Sequence, residues 1–464
     1  MNYYIWTVGC QMNEADSERL ARALEDRGLS RVERVERADV VVLNTCSVRQ
    51  AAEDKAFSKA GTLRPLKAAR PDLLVALGGC MVSDDTVPEL RRRLSYVDLF
   101  FPPTDFVALL EAVDERLAEG GHDPASDGCL GPTIDEPPID LTELSRPRAP
   151  ARWLPIMNGC NRRCTYCIVP FRRGREASRP ASELVAETQR LVADGAREVT
   201  LLGQIVDRYG RDLPGRPDLA DLLTSLHEID GLDRIRFLTS HPRDFTDRIV
   251  EAVAGLPKVC EHINIPVQAG DDAVLRSMAR GYTVDHYRDV IRRIREAVPG
   301  VSLSTDVIVG FSGETDEQFQ RTLDLLEEVR FDVARVAMYS VRPGTFAGDR
   351  LADDVSPTVK KARLLAVERV QERVVAEINA GLLGQTVEIL VDSRDEERGR
   401  WRGRTRTNKL VHFADDRDWR GRLAEVRIDW TGPWSLLGSA VGGESPRAVS
   451  GRRVALPVLG AIDR

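Results

Sequence analysis

The chain has 464 residues, of which 42% are hydrophobic and 30% are charged, and its formal net charge is −7. A chain of this length and ordinary composition can bury a large core, which excludes a single small module and a chain that is disordered throughout. The acidic balance excludes a globally basic nucleic-acid binder but leaves room for a local basic patch. At about 150 residues per domain, we expect two or three domains.

Targeting signals are not visible in this sequence. No run approaches the ~20 apolar residues that a membrane helix needs. The first six residues lack the basic segment followed by an apolar one that marks a secretory signal. We therefore expect a cytoplasmic protein with no membrane partner, a setting where stable disulfides are rare. The eight cysteines then need another explanation.

Residues 1–119 alternate short strands and helices, a pattern that predicts a parallel sheet covered by helices. Short runs that are apolar and β-branched predict strands at residues 3–8, 39–43 and 73–77. Helical spacing of apolar residues predicts helices at residues 16–27 and 50–67. Residues 120–150 follow as an acidic linker rich in glycine and proline, and the linker contains Cys129.

Residues 151–380 repeat a strand–helix unit. The predicted strands lie at residues 153–157, 198–202, 235–238, 262–265, 302–309 and 333–339. Amphipathic helices are predicted at residues 181–194, 285–297 and 316–329. Six consecutive units predict a partial (β/α)6 barrel, which is shorter than the complete eight-fold form.

Residues 384–442 have a different pattern. Short strands are predicted at residues 386–392, 424–430 and 436–441, with no clear helix between them. The fold class is therefore α/β, with a parallel amino-terminal domain, a central partial barrel and a small all-β domain at the carboxyl end. Residues 443–464 are rich in Gly, Ser, Pro and Arg and predict a loose tail.

Three cysteines, Cys160, Cys164 and Cys167, follow the first strand of the predicted barrel directly. Chemistry in barrels of this type collects at the carboxyl ends of the strands. Thiolates at this spacing hold a metal or an iron–sulfur cluster. A zinc site would need a fourth Cys or His nearby, but no His lies between His122 and His227. The motif therefore predicts a [4Fe–4S] cluster with three protein ligands and one iron left open.

Cys10, Cys46 and Cys80 are far apart in the sequence, but each ends one predicted strand of the first domain. Parallel strands place their carboxyl ends on one edge of the sheet, so the three thiols can converge there. Neighbouring glycines suit a close approach of the backbone to a bulky group. The position predicts a second [4Fe–4S] cluster, and the alternative is three small buried apolar residues. Cys129 and Cys260 have no partner at ligand spacing and are interpreted as incidental.

The segment from Cys160 to Cys167, including Tyr166 before the third cysteine, resembles the signature of the radical S-adenosylmethionine (SAM) superfamily. The resemblance implies that the open iron binds SAM and that one-electron reduction cleaves it to a 5′-deoxyadenosyl radical. Polar residues near other predicted strand ends are then candidates to bind SAM, with ordinary loop hydrogen bonding as the alternative. These candidates are Gln204, Ser240, Ser304 and Asp306.

Two cysteine trios followed by a β module resemble the methylthiotransferase family over about residues 1–442. Six segments look like the branch that acts on N6-dimethylallyl-adenosine in tRNA: residues 9–17, 44–49, 178–180, 281–283, 302–311 and 403–409. The β module resembles a TRAM domain, an RNA-binding fold. The chain departs from the usual pattern of the family at four positions near the predicted pocket: Ile205, Asp207, Asn264 and Asp271.

The resemblance implies an enzyme that adds a methylthio group to carbon 2 of the modified adenosine at position 37 of tRNA. Two SAM molecules are consumed, and the second cluster carries the sulfur. An electron donor and a sulfur donor of unknown identity are implied, and we expect a monomer. The alternative substrate is threonylcarbamoyl-adenosine in tRNA. A non-catalytic iron–sulfur protein that binds RNA is the alternative from a different class.

Positive charge alternates along one possible strand of the β module. Its members are Arg398, Arg400, Arg402, Arg404 and Arg406, with Lys409 nearby. A period of two would place the five arginines on one face, which suits a phosphate backbone, and Trp401 on the other face or at the edge. The alternative is a solvated strand balanced by the acidic residues 395–397.

Overall fold

The computed structural model describes residues 1–48, 50–119 and 149–444. The predicted linker, with Cys129, lies outside the described residues except for its last two positions, and so does the predicted tail from residue 445 onward. The domain boundaries drawn from the sequence stay predictions. No helix in the described ranges is both long enough and apolar enough to cross a membrane.

The amino-terminal part is a five-stranded parallel sheet with the order β2-β1-β3-β4-β5. Its elements are β1 (Asn2–Thr7), α1 (Gln11–Glu25), β2 (Ser30–Arg31), β3 (Val40–Thr45), α2 (Gln50–Ala69), β4 (Leu74–Gly79), α3 (Val87–Arg93), β5 (Leu99–Phe101) and α4 (Val107–Ala118). Strands β3 and β4 are buried along their whole length, as expected of a parallel sheet with helices on both faces. A Cβ at Gly78 would overlap the ring of Phe101, so glycine allows β5 to pack closely against β4.

The central part begins with β6 (Ala151–Pro155) and ends with a long helix. Its elements are β6, β7 (Met157–Asn158), α5 (Val169–Arg173), β8 (Ala177–Ser178), α6 (Ala181–Ala193), β9 (Glu198–Leu202), α7 (Leu219–His227), β10 (Arg234–Phe237), α8 (Asp247–Gly255), β11 (His262–Asn264), α9 (Asp272–Ser277), α10 (Val284–Ala297), β12 (Ser302–Val309), α11 (Asp316–Val329), β13 (Val333–Met338), α12 (Phe346–Arg350) and α13 (Pro357–Ala380). The six predicted barrel strands are all present.

The barrel strands form two parallel sheets, β6-β9-β10 and β11-β12-β13. Three backbone hydrogen bonds bridge the break, from Ile235 N to Lys258 O at 2.7 Å, from Cys260 N to Ile235 O at 2.9 Å and from Ser240 N to Asn264 O at 3.0 Å. One apolar cluster fills the space between these strands and the surrounding helices. The predicted fold class, with a partial barrel at its centre, is confirmed.

The carboxyl-terminal part is a small closed β-barrel with the strand order β14-β15-β16-β18-β17. Its strands are β14 (Thr386–Asp395), β15 (Arg400–Thr405), β16 (Leu410–Phe413), β17 (Leu423–Thr431) and β18 (Leu436–Glu444). Trp419 and Phe413 meet edge to face in its core, with ring centroids 5.8 Å apart.

The two flanking parts contact opposite ends of the partial barrel. Leu202, at the carboxyl end of β9, packs against Met12 and Ala15 of α1. The small β-barrel instead contacts residues at the amino ends of the strands. Its Lys409 forms an ion pair of 2.6 Å with Asp332, which precedes β13. Chemistry at the carboxyl ends of the barrel strands would therefore face the amino-terminal sheet.

Candidate functional site

The first set of cysteines lies at the carboxyl edge of the amino-terminal sheet and is called the sheet-edge trio: Cys10, Cys46 and Cys80. Cys46 directly follows β3, and Cys80 directly follows β4. Cys80 N donates a hydrogen bond to Thr45 O at 2.9 Å. A Cβ placed on Gly9 would lie 2.8 Å from Cys46 Cβ, so the loops that carry the first two cysteines touch.

Buried amides hold these loops together. Asn13 Nδ2 donates to Thr45 O at 2.9 Å and to Asn44 Oδ1 at 3.2 Å, and Asn44 Nδ2 donates to Asn13 O at 2.8 Å. Ser47 Oγ donates to Cys80 O at 2.7 Å. A buried polar network whose members are paired fixes one arrangement of its parts. The sequence contained these residues in family-like motifs, but it gave no sign of their contacts.

Arg173, at the end of α5, reaches from the partial barrel to the sheet-edge trio. Its side chain is 3% exposed and donates to Asp16 Oδ2 at 2.8 Å. Burial raises the pKa of the Cys80 thiol to about 12, the Arg173 guanidinium opposes this rise, and the Cys46 and Cys10 thiols add to it. The three thiols therefore lie close enough to influence one another electrostatically.

The second set is called the barrel trio and comprises Cys160, Cys164 and Cys167, in the loop between β7 and α5. Cys160 N donates to Gly174 O at 3.0 Å, which closes the base of this loop. Its middle is fixed by Thr165, whose N and Oγ1 donate to Met278 O at 3.1 Å and to Ser277 O at 2.8 Å. The trio is thus tied to the end of α9.

Both trios have the chemistry of iron–sulfur ligands. None of the six cysteines forms a disulfide with another described cysteine, and burial raises the pKa of Cys167 to about 12, so ligation would release its proton. In the described ranges, no three His, Cys, Asp or Glu side chains surround a point as the ligands of a single metal ion do. Cysteine thiolates are the usual ligands of a [4Fe–4S] cluster, so the type of donor present at each trio fits such a cluster.

The four residues predicted to bind SAM lie on or just beyond three strands of the partial barrel, β9, β10 and β12. Gln204 follows β9, and Ser240 follows β10. Ser304 and Asp306 lie inside β12 rather than at its end, which corrects their predicted place. However, β11 pairs with β12 only as far as Ser304, so Asp306 stands beyond the end of that neighbouring strand.

Two of these candidates have buried oxygen atoms with no partner in the described part of the chain, Gln204 Oε1 and Ser304 Oγ, whereas the Ser240 hydroxyl lies beside the Asp207 carboxylate as a hydrogen-bond partner. A buried polar atom left unpaired costs about 1–3 kcal/mol, so two of them near one barrel end fit a polar ligand that would satisfy them. Asp306 already accepts a hydrogen bond from Asn264 Nδ2 at 3.3 Å.

The departures from the family pattern have different surroundings. Asn264 Oδ1 accepts from Thr239 N at 3.0 Å, so this side chain links the loop after β10 to β12. Asp271 caps the start of α9 by accepting from Ala273 N at 2.9 Å, which is a structural role. Asp207 is buried and accepts from His241 N at 2.6 Å, while Ile205 is buried close to it in the same loop.

We expect Asp207→Asn to stabilise the chain, and to do so more at pH 8 than at pH 5. Burial raises the pKa of Asp207 to about 7 from an ordinary 3.8. When the pKa of a carboxyl is higher in the folded chain than in the unfolded chain, the folded state loses stability as the pH rises from the unfolded pKa through the folded pKa. Asparagine stays neutral and can still accept the hydrogen bond from His241. Between pH 5 and pH 8 the gain in unfolding free energy should grow by roughly 2.6 kcal/mol.

Urea unfolding at the two pH values measures this difference. Asp285→Asn is the matched control, because the Asp285 side chain is 90% exposed on α10 and its replacement should have nearly the same effect at both pH values. An equal gain for Asp207→Asn at pH 5 and pH 8 would contradict the predicted linkage.

The predicted arginine row is only partly correct. Strand β15 contains Arg400, Arg402 and Arg404, which alternate with the buried Trp401 and Gly403. These three arginines therefore share the outer face, and Trp401 points inward, where its Nε1 donates to Asp415 O at 3.0 Å. Strand β15 extends only over Arg400–Thr405, so the row of arginines on one face is shorter than the alternation from Arg398 to Arg406 in the sequence indicates.

The other members of the row lie outside the strand. Arg398 lies in the turn before β15, beside Asp395. Arg406 makes two hydrogen bonds to the Glu261 carboxylate, at 2.7 and 2.8 Å, and Lys409 pairs with Asp332. Both of those acids belong to the partial barrel. The prediction that Arg406 continues the outer face is thus wrong, because it holds the small β-barrel against the central part.

We expect reversal of Arg400, Arg402 and Arg404 to Glu to weaken tRNA binding and to flatten its dependence on salt. Each lost phosphate contact removes roughly 0.7–0.9 from the slope of log affinity against log salt, so the triple change should remove about two. Fluorescence anisotropy with labelled tRNA over a range of salt concentrations measures both quantities.

The control variant carries the same change in charge on α10, at Arg288, Arg292 and Arg293, which are exposed or partly exposed and paired with acids. Unchanged binding in the β15 variant, or an equal loss in both variants, would remove this face of β15 from the RNA site.

Three family models match this chain. One described as Radical SAM superfamily matches residues 154–326, Uncharacterized protein family UPF0004 matches residues 2–102, and TRAM domain matches residues 382–441. A radical SAM core uses a [4Fe–4S] cluster together with SAM. The barrel trio lies inside the matched core, and the sheet-edge trio lies inside the match at the amino end.

A solved structure shares the fold. It is the radical S-adenosylmethionine methyltransferase TsrM from Kitasatospora setae, with tryptophan substrate and a SAM analogue bound, and it matches with a TM-score of 0.51. The match covers 75% of each chain, and the sequences are 16% identical. At this identity the likeness concerns the fold alone.

Curated relatives cover nearly the whole chain. The tRNA-2-methylthio-N(6)-dimethylallyladenosine synthase of Roseiflexus sp. (strain RS-1) is 51% identical, over 94% of this chain and 89% of that protein. The protein of the same name from Herpetosiphon aurantiacus is 47% identical, over 95% of this chain and 97% of that protein. The chain therefore belongs to the family of tRNA-2-methylthio-N(6)-dimethylallyladenosine synthases, which are radical SAM methylthiotransferases.

Proposed function

We propose that this chain adds a methylthio group to carbon 2 of N6-dimethylallyl-adenosine at position 37 of tRNA. The observation that carries the proposal is the combination of similarity over nearly the whole chain to relatives named for this reaction with two separate trios of cysteines, none of them in a disulfide with another described cysteine. Carbon 2 of an adenine is not acidic enough for acid–base chemistry, so the reaction needs a radical.

In this proposal the barrel trio and the sheet-edge trio each bind a [4Fe–4S] cluster through three thiolates, which leaves one iron of each cluster open. When bound, these groups supply the radical, by reductive cleavage of SAM, and the sulfur that is methylated and transferred. The protein contributes orientation, electrostatics and exclusion of competing reactions. Support for the sheet-edge cluster comes from the contact between its cysteine loops and from the buried network that fixes them.

The chain's own residues have distinct tasks in the proposal. Gln204 and Ser304 offer their unpaired oxygens to SAM, Ser240 offers its hydroxyl, and Asp306 offers its carboxylate as a further acceptor. Helix α1 packs on the carboxyl end of β9, and this packing directs the sheet-edge trio toward the barrel end. Such packing also keeps water away from a radical, which the solvent would otherwise quench.

The tRNA is held by the outer face of β15 in this proposal. Arg400, Arg402 and Arg404 would contact the phosphate backbone, which gives affinity and position rather than base identity. The target base must leave its stack to reach carbon 2, as with other enzymes that act on extruded bases. A low-potential electron donor and a sulfur donor complete the reaction, and the enzyme acts as a monomer.

Anaerobic reconstitution tests the proposal. Iron and sulfide are counted per chain, and the protein is then incubated with SAM, a reductant and tRNA from a strain that lacks the modification. We expect about eight irons per chain, formation of deoxyadenosine, and a methylthio group on dimethylallyl-adenosine. Methylthiolation of threonylcarbamoyl-adenosine alone would favour the other substrate. Iron without deoxyadenosine would indicate a non-catalytic RNA-binding protein.

A further inference from the structure

Each cysteine trio has one buried arginine beside it, and the two arginines differ in their partners. Arg280 lies beside the barrel trio, in the loop that follows α9. Arg173 lies beside the sheet-edge trio, at the end of α5. Both residues are 7% exposed. A charge buried in the interior is costly unless it is paired or stabilises a group of the opposite sign.

Arg280 has no carboxylate partner in the described ranges of the chain. Its NH1 donates to Cys164 Sγ at 3.4 Å, its NH2 donates to Pro266 O at 3.4 Å, and its Nε donates to the Tyr282 hydroxyl at 3.3 Å. All its hydrogen-bond partners are thus neutral groups or the thiol itself. The positive charge of Arg280 is therefore not neutralised by a carboxylate in the described ranges, and it acts on the barrel trio beside it.

The backbone around Arg280 is built to hold it in place. Ala279 and Gly281 on either side have φ values of +55° and +74°. The first value is in the left-handed region that costs energy for a residue with a Cβ. Arg280 N donates to Leu275 O at 3.0 Å, which anchors the loop to α9. This turn has a strained backbone and places the buried charge of Arg280 against the Cys164 thiol. A functional role explains this arrangement better than packing alone does.

Arg173 is placed differently. It forms an ion pair of 2.8 Å with Asp16, whose side chain is 2% exposed, and its NH1 donates to Asn158 Oδ1 at 3.3 Å. The pair contributes little net charge to the sheet-edge trio. The guanidinium beside that trio is therefore largely neutralised, whereas the guanidinium beside the barrel trio is not.

We propose that this difference in charge sets the reduction potential of the barrel cluster above the value it would have without Arg280, while the Asp16–Arg173 pair leaves the sheet-edge cluster at a lower potential. The inference rests on the proposed function, because it needs a cluster at each trio. One electron, given by a low-potential one-electron donor, adds one negative charge to the cluster that receives it. A fixed positive charge in a medium of low dielectric constant favours that more negative state. Arg280 is thus a positioning residue for the electron, which it directs to the trio where SAM is cleaved.

Potentiometry followed by electron paramagnetic resonance tests the inference, one cluster at a time. The barrel cluster is measured in a chain whose sheet-edge trio is replaced by alanines, and the sheet-edge cluster in a chain whose barrel trio is replaced. In the first background we expect Arg280→Met to lower the midpoint potential, and Arg280→Lys to restore most of it. In the second we expect Asp16→Asn to raise the midpoint potential, because Arg173 is then left without its partner.

Two controls separate charge from structure. The double change Asp16→Asn with Arg173→Met removes both charges and should leave the midpoint potential of the sheet-edge cluster close to its original value. Arg363→Met breaks another buried ion pair, with Glu314 at 2.8 Å, and should move neither potential. Iron per chain is counted in every variant, so that a lost cluster is not mistaken for a shifted one.

The outcomes are distinct. An unchanged midpoint potential in Arg280→Met at full iron content would overturn the inference. Loss of iron in both Arg280→Met and Arg280→Lys would also overturn it, because Arg280 would then only support the loop. Absence of any cluster at the sheet-edge trio in the otherwise unaltered chain would instead show that the proposed function fails, since that result concerns the ligands and not the arginines.

Discussion

Replacing Cys164 with alanine is expected to reduce deoxyadenosine formation to the level measured without reductant. Cys164 is the middle member of the barrel trio, and its thiol is the one that accepts a hydrogen bond from Arg280. With two thiolates left, a [4Fe–4S] cluster loses a required anchor, and SAM has no reducible centre beside it. The iron content should fall from about eight to about four per chain, because the sheet-edge trio is untouched.

Cys260→Ala is the matched control for this variant. Cys260 is also a cysteine of the central part, but it is buried and lies near Arg236 and Glu198 at the amino end of the barrel. The control should keep both its iron and its SAM cleavage. Deoxyadenosine formed by Cys164→Ala at the wild-type rate would refute the assignment of the barrel trio.

Replacing Cys46 with alanine is expected to leave SAM cleavage in place and to remove the methylthiolated product. Cys46 directly follows β3 and belongs to the sheet-edge trio, which lies outside the radical SAM match. The barrel cluster should therefore remain, while the group proposed to carry sulfur is lost. Analysis of tRNA nucleosides by mass spectrometry, together with a deoxyadenosine assay, measures the two outcomes in one reaction.

Deoxyadenosine and methylthiolated product, measured together for Cys46→Ala, distinguish a specific loss of sulfur transfer from a loss of folding. A general loss of folding would lower both deoxyadenosine and product, whereas the proposal requires that only the product disappear. Cys260→Ala again serves as the control and should retain both. Product formed by Cys46→Ala in wild-type amounts would show that the sheet-edge trio is not part of the sulfur-transfer site.

The sequence predicted β1, β3, β4 and all six strands of the partial barrel, and it missed the short strands β2 and β5. Most of the predicted strands are buried and apolar, so they stand out against the polar loops around them, and residues 198–202 and 302–309 match β9 and β12 to the residue. Helix α13 was missed because it buries several polar side chains, including Lys360, Arg363 and Gln371. Such a helix has no clean apolar stripe to recognise.

The parts of the site that follow from the order of strands along the chain were predictable, and the contacts between distant residues were not. Parallel strands end at one edge, so the placement of Cys10, Cys46 and Cys80 at that edge follows from topology. Arg173 and Arg280 lie beside thiols that are distant in the sequence or on another part of the chain, and nothing in their local sequence indicates those contacts. The row from Arg398 to Arg406 was drawn too long because alternation in a sequence continues after strand pairing has stopped.

The two ends of the partial barrel have different neighbours, and this arrangement has a consequence for the size of the substrate. The barrel trio lies in the loop after β7, at the carboxyl end of the partial barrel, while Arg406 and Lys409 hold the small β-barrel against the amino end. An RNA that places its modified base at one pole and its backbone on β15 at the other must extend along the full height of the barrel. A short oligonucleotide carrying the same base could reach either the carboxyl end of the partial barrel or β15, but not both. The enzyme would therefore distinguish a folded tRNA from a fragment by the length of the RNA as well as by the base.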